Sequence, residues 1–203
     1  DARDVAVIGP RRWLETLDTS AVKIAVGPGG VFPRPGRPGA AGARLAWAAM
    51  ERAAEGCKTG EFSGVVTGPV SKAELARVGY EFPGQTEFFA ARWGGEPVMA
   101  FCGGKLRVAL ATWHVPLVAV PRLLRAPLLR RTIAAADLLA RSEGVAQPRI
   151  GVCGLNPHAG EEGLLGTDER DRLNPMLDRL RREFPGISRK CTTVECSSKT
   201  AAE

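Results

Sequence analysis

Short apolar runs alternate with longer stretches of helical period along this chain, and glycine, proline and polar residues crowd the exits of the runs. Residues 5–8 (VAVI), closed by Gly9-Pro10, predict a strand and a turn, and residues 21–26 (AVKIAV) a second strand. Residues 27–39 (GPGGVFPRPGRPG) are too rich in Gly and Pro for an element and read as a loop. Residues 40–56 are Ala-rich with Leu45, Ala49 and Ala53 at helical spacing, which predicts a helix. Gly64-Val65-Val66-Thr67 reads as a short buried strand followed by a turn at Gly68-Pro69-Val70. Ser71 with Glu74 three residues on forms a capping box for the next helix, which Gly79 closes. A further short helix spans residues 88–93, with Thr86 as its expected cap.

Residues 97–102 and 105–112 form two β-like runs around Gly103-Gly104, the pattern of a hairpin. A hairpin inside an alternating βα pattern argues for a mixed sheet. Residues 121–140 have helical spacing that Pro127 breaks or restarts, and residues 149–153 read as a strand. Thr167 is the expected cap of a last helix, with Asp168 and Glu169 in its first turn and Leu173, Leu177, Leu180 and Phe184 as its buried stripe. Pro175 then kinks this helix or lies close to its start. The expectation is an α/β fold, three-layer α/β/α with a mixed sheet. Residues 1–187 carry it, as one domain or two lobes. Residues 188–203 have almost no large apolar side chain and no clear period, and read as a disordered or loosely attached tail.

Composition narrows the function classes. The 203 residues are 44% hydrophobic, enough for a substantial core. The net charge is +6, mostly from arginines that are scattered and form no basic block, zinc finger or aromatic-basic strip. Nucleic-acid binding is therefore not expected, and the charge suits an anionic small substrate or a solvated surface. The five cysteines (57, 102, 153, 191 and 196) form no CxxC pair, and Cys102 and Cys153 fall in apolar runs as small buried hydrophobes. That favours a reducing cytoplasm, and no run reaches the length of a membrane span.

The chemistry-bearing residues collect after predicted strands, where open α/β sheets place their sites. The chain has two histidines. His114 follows the second hairpin run in Trp113-His114-Val115-Pro116, and His158 follows the strand at 149–153 in Asn156-Pro157-His158-Ala159-Gly160-Glu161. Each is a metal ligand, a proton carrier or a hydrogen-bonded loop histidine. Lys72 stands at a helix N-terminus after a strand, where an anion is favoured, or is simply exposed. Gln85 and Thr86 offer hydrogen bonds to a polyol, with Thr86 as a plain cap the alternative. The glycines of 27–39 lack the GK[ST] of a P-loop and the GxGxxG of a dinucleotide fold.

Four segments in order (VTGPVSK at 66–72, PGQTE at 83–87, LATWHVPL at 110–117 and GLNPHAGE at 154–161) resemble the 4-hydroxythreonine-4-phosphate dehydrogenase family of vitamin B6 biosynthesis, from about residue 4 to 187. The resemblance implies an isocitrate-dehydrogenase-like fold, here incomplete. It implies NAD-dependent oxidation with decarboxylation of 4-phosphohydroxy-L-threonine, a divalent metal (zinc, magnesium or cobalt) and a homodimer. It makes His114 and His158 metal ligands sharing one ion and Thr86 a substrate contact, with Gln85 at the adjacent motif position; Lys72, from its place at a helix N-terminus, joins them as a candidate substrate-binding residue.

Three departures qualify this. Gln85 stands where the family has His, which points also to relatives acting on other phosphorylated hydroxy acids or diol carboxylates. The family's amino-terminal GDPAGIGPE segment is absent. So are the segments after NPHAGE that carry a third metal His and the phosphate-binding basic residues, so a truncation or a shifted reading frame is expected in the tail. A non-catalytic fragment is the alternative, and near-inactivity of this form is the expectation.

Overall fold

The computed structural model describes residues 4–31, 34 and 36–191, with the side chains of 189–191 excluded. The chain forms two compact units, Asp1–Pro97 and Val98–Glu203, each with its own core. The architecture is α/β, with parallel and antiparallel strand pairs. Among the described residues these form three separate two-stranded ladders.

In the first unit, β1 (Ala6–Gly9) runs parallel to β2 (Val22–Ala25), and the short helix α1 (Arg11–Leu14) makes the crossover. The long helix α2 (Ala40–Lys58) buries Ala43, Leu45, Met50, Ala53 and Ala54 along one stripe. Two short helices pack against it, α3 (Lys72–Arg77) and α4 (Gln85–Trp93). Ser71 caps α3 as expected, accepting the Glu74 N–H at 3.4 Å, while the Glu74 side chain pairs with Arg77.

Two expectations fail here. Residues 64–67 join no ladder: Val65 packs on the core, but Val66 is fully exposed. A strand needs a hydrogen-bonding neighbour, and apolar content alone supplies none. Thr86 does not cap α4; Gly84, in extended conformation, is the N-cap, so Thr86 falls inside the first turn.

Six aromatic side chains knit this core. Tyr80 contacts Trp47, Phe82 and Phe88 at centroid distances of 5.6, 5.3 and 5.8 Å, and Phe88 contacts Phe89 at 5.1 Å. Phe89 stacks on Trp93, whose indole N–H donates to the Ala54 carbonyl at 3.0 Å. The Arg92 guanidinium lies over the Phe88 and Phe82 rings, 4.7 and 5.5 Å from their centroids. It also donates to both oxygens of Glu51, Nε at 2.8 Å, and the Trp47 indole donates to the same carboxylate at 2.9 Å.

The second unit opens with the hairpin. β3 (Ala100–Gly103) pairs antiparallel with β4 (Leu106–Ala109), and the Leu110 N–H extends the ladder to Met99 O at 2.9 Å. Gly103 is the last strand residue, so the two-residue turn is Gly104-Lys105, with Gly104 at φ 53°. A 3-10 turn (Leu117–Ala119) leads into α5 (Val120–Leu123). Pro127 then sits in the first turn of α6 (Ala126–Ser142), so the helix restarts there. β5 (Ile150–Cys153) is followed by the long loop that holds His158. A wide π turn (Glu169–Leu173) then enters α7 (Asn174–Leu180), whose first turn holds Pro175.

Leu173, Leu177 and Leu180 form the expected stripe, packed with Leu129, Ile133 and Ile187, and Phe184 lies against it. The chain then returns as β6 (Ile187–Cys191), parallel to β5. Residues 188–191, expected in a loose tail, therefore belong to a ladder, and 192–203 lie outside the described residues. Gly186 permits the β5–β6 approach, because a Cβ there would lie 1.9 Å from the Pro148 carbonyl oxygen. Cys102 and Cys153 are exposed rather than buried, since among the described residues no layer covers their faces of the ladders. Among the described residues no helix is long and apolar enough to cross a membrane.

Phe88 is fully buried at the centre of the aromatic cluster. Phe88→Ala should cost about 3–5 kcal/mol in urea unfolding, and a loss below about 1 kcal/mol would show that the cluster does not hold this unit. The Arg92 hydrogen bond, with help from Trp47 and against the opposing effect of burial, holds Glu51 below the usual carboxylate range. A depressed folded-state pKa stabilises above the unfolded value and is lost as pH falls through the folded one. Glu51→Gln should therefore flatten the stability loss on acidification below the ordinary carboxylate range. An acid limb as steep as that of the parent would contradict this.

Candidate functional site

The expected site residues fall into two sets, one in each unit. Lys72, Gln85 and Thr86 lie in the first, and His114 and His158 in the second.

In the first unit two loops converge on the start of α4. Gln85 opens that helix and its amide Nε2 donates to the Gly68 carbonyl at 3.1 Å, across 17 residues of sequence. The Tyr80 hydroxyl donates to the Gly84 carbonyl at 3.0 Å, and burial pushes its pKa upward. A Cβ on Gly84 would lie 3.0 Å from Glu87 Oε2 and 3.7 Å from Lys72 Nζ. Lys72 and Gln85 are thus brought to one turn, with Glu87 beside them. Thr86 is exposed in the first turn of α4 and its hydroxyl makes no hydrogen bond among the described residues, which leaves it open to a ligand.

In the second unit each histidine leaves its own strand, His114 after β4 and His158 after β5, and both strands pack on α6. Both histidines are exposed. The His158 N–H donates to Asn156 Oδ1 at 2.9 Å, an Asx turn that fixes the entry of the loop. Asn156 Nδ2 reaches the Leu165 carbonyl at 3.4 Å, which ties the two ends of the loop together. His158 Nδ1 stands 3.7 Å from Glu161 Oε2, an ion-pair distance if the imidazole is protonated.

Backbone strain concentrates at these two loops. Among the described residues the non-glycine residues with positive φ are His114 at 54°, Ala159 at 49°, Glu161 at 43° and Glu162 at 58°, with Gly160 at 77° between them. Each such residue costs on the order of 1–3 kcal/mol and persists only where its surroundings impose it, a situation common at functional sites.

Two imidazoles do not make a metal centre, since a catalytic zinc takes three protein ligands. Among the described residues no three His, Cys, Asp or Glu side chains converge to hold an ion. The residues present therefore do not complete the site that the resemblance implies.

Sequence reasoning placed Glu169 in the first turn of a helix and gave it no further role. It is buried, and its Oε1 accepts the Leu155 N–H at 2.9 Å. The signal was available: Glu169, Leu173 and Leu177 share a helical stripe, so Glu169 was due to face inward.

The sequence model of one family, described as pyridoxal phosphate biosynthetic protein PdxA, matches residues 5–191, and so extends to the end of β6. A curated 4-hydroxythreonine-4-phosphate dehydrogenase from Aromatoleum aromaticum is 49% identical over 156 residues, 75% of this chain and 48% of the relative. The crystal structure of the dehydrogenase of that name from Klebsiella pneumoniae matches with a TM-score of 0.77 at 29% identity, covering 92% of this chain and 65% of that one. A terephthalate 1,2-cis-dihydrodiol dehydrogenase from Burkholderia xenovorans LB400 matches with a TM-score of 0.61, also at 29% identity, over 84% of this chain and 55% of that one. The chain spans about half the length of the curated relatives it matches.

Gln85→Leu removes the bond to Gly68 without disturbing the helix. It should lower the stability of the first unit by about 0.5–1 kcal/mol in urea unfolding. Unchanged or increased stability would show that the two loops are not held together by this amide.

Proposed function

Because the chain belongs to the pyridoxal phosphate biosynthetic protein PdxA family, we propose that it forms part of an NAD-dependent, divalent-metal-dependent dehydrogenase of 4-phosphohydroxy-L-threonine. The observation that carries this reading is the pair of strained histidine loops inside a family match that runs through both. The reaction moves a hydride from the carbinol carbon to the nicotinamide and the hydroxyl proton to water. The 3-oxo acid that results loses CO2. In this reading the Lys72 ammonium meets an anionic group of the substrate and the Thr86 hydroxyl donates to one of its oxygens. His114 and His158 supply two of the nitrogen donors for zinc, magnesium or cobalt. The net charge of +6 suits a phosphorylated substrate. Exposed Phe101 and Leu106 on the hairpin, with Leu117 and Val118 beyond it, supply apolar surface for a homodimer. The exposed, free Cys102 and Cys153 fit a reducing cytoplasm.

Two observations favour a second reading, oxidation of a diol carboxylate. Gln85 spends its amide on Gly68 instead of presenting it outward, and the terephthalate dihydrodiol dehydrogenase is as identical to this chain as the Klebsiella enzyme is.

Calorimetry with the two substrate types, in the presence of NAD and zinc, separates these. The chain should bind 4-phosphohydroxy-L-threonine more tightly than an unphosphorylated diol carboxylate. Lys72→Met should weaken that binding about tenfold, the worth of one charge-assisted contact. NADH formation by this half-length chain should stay below the ordinary enzyme range of about 1 s⁻¹ and above. Preference for the diol carboxylate would select the second reading, and binding of neither would overturn both.

A further inference from the structure

The loop after β5 presents His158 from a backbone that turns left-handed over Ala159, Gly160, Glu161 and Glu162. Strain of that kind relaxes unless something fixed opposes it. Asn156 ties the entry and the far side of the loop to each other, but it is part of the loop. The anchor from outside is Glu169.

Glu169 is the only buried charged side chain among the described residues, at 6% exposure. Neither adjacent arginine neutralises it, because Arg170 pairs with Asp171 and Arg172 with Asp168. Burying a carboxylate without a cation is costly, and a leucine at this position would simply extend the stripe of Leu173 and Leu177. What the carboxylate does have is the loop. Oε1 takes the Leu155 N–H at 2.9 Å, and Oε2 lies against Gly160, where a Cβ would come within 2.9 Å of it and 2.8 Å of the Gly166 carbonyl oxygen. The π turn at Glu169–Leu173 places Glu169 and Leu173 inward together, so the clamp is built directly on the core stripe.

We propose that Glu169 is the positioning residue for His158: its buried carboxylate holds the loop at Leu155 and at Gly160, where the left-handed turn runs, and thereby fixes where the imidazole stands. The clamp rests on the reading of His158 as a working side chain. Its test reads the imidazole itself, so a failure of the dehydrogenase reading stays distinguishable from a failure of the clamp.

The chain's two histidines make that test simple, since His114 is an internal reference for His158. Imidazole proton–nitrogen spectra of the intact 203-residue chain should show the His158 signals displaced or broadened in Glu169→Ala, with those of His114 unchanged. Gly160→Ala, which crowds the same oxygen, should move His158 in the same way. Glu169→Gln keeps an acceptor for the Leu155 N–H and should restore the parent position. His158 signals unchanged in Glu169→Ala would overturn the proposal. So would loss of the signals of both histidines together with the fold, which would make Glu169 a general stability residue.

Discussion

The carboxylate of Glu169 sits buried where β5 gives way to the loop that carries His158, and it accepts a backbone N–H that the strand ladder no longer serves. Because Glu169 shares a stripe with Leu173 and Leu177, the core of the second unit and the geometry of its candidate site are one construction. The first unit repeats the arrangement with a different carboxylate. Glu51 on the long helix α2 holds Arg92, and Arg92 covers the rings of Phe82 and Phe88. Phe82 stands three residues before Gln85, so the aromatic core and the start of α4 are positioned together. Glu51 and Arg92 remain partly exposed, and their pairing is worth less than the same contact would be in a dry interior.

Local period carried much of the fold into the sequence. The helix of Ala40–Lys58, the restart at Pro127 and the stripe through Leu173, Leu177 and Leu180 all follow from spacing and proline chemistry. The hairpin was legible because Gly104 supplies the positive φ that its turn requires. What escaped depends on partners distant in sequence. Residues 64–67 have the composition of a strand but no neighbour to pair with, while Ser188 and Arg189, with no apolar period, form a strand because β5 offers them a ladder. The exposure of Cys102 and Cys153 has the same origin, since an apolar run is buried only where another layer covers it.

The candidate site was legible as a set of residues and not as a machine. Both histidine loops were identifiable from their position after strands, and the structure adds that each holds backbone in the left-handed region. Lys72 and Gln85 were separate candidates in the sequence, and one turn at Gly84 brings them together. Glu169 was hidden by the ordinary expectation that a first-turn acid faces water and complements the helix dipole. Its place on the stripe of Leu173 and Leu177, buried with Leu173 in the π turn, is what turns it inward. Among the described residues no three His, Cys, Asp or Glu side chains converge to hold the metal that the family resemblance implies.

The core beneath the His158 loop already fixes it in this chain. Amide hydrogen exchange tests that directly. The Leu155 and His158 N–H groups, bonded to Glu169 and Asn156, should exchange within about an order of magnitude of the Ile150 N–H, which is bonded to Gly186 in the β5 ladder. Exchange of Leu155 and His158 at the rate of a free exposed loop, with Ile150 still protected, would contradict the account.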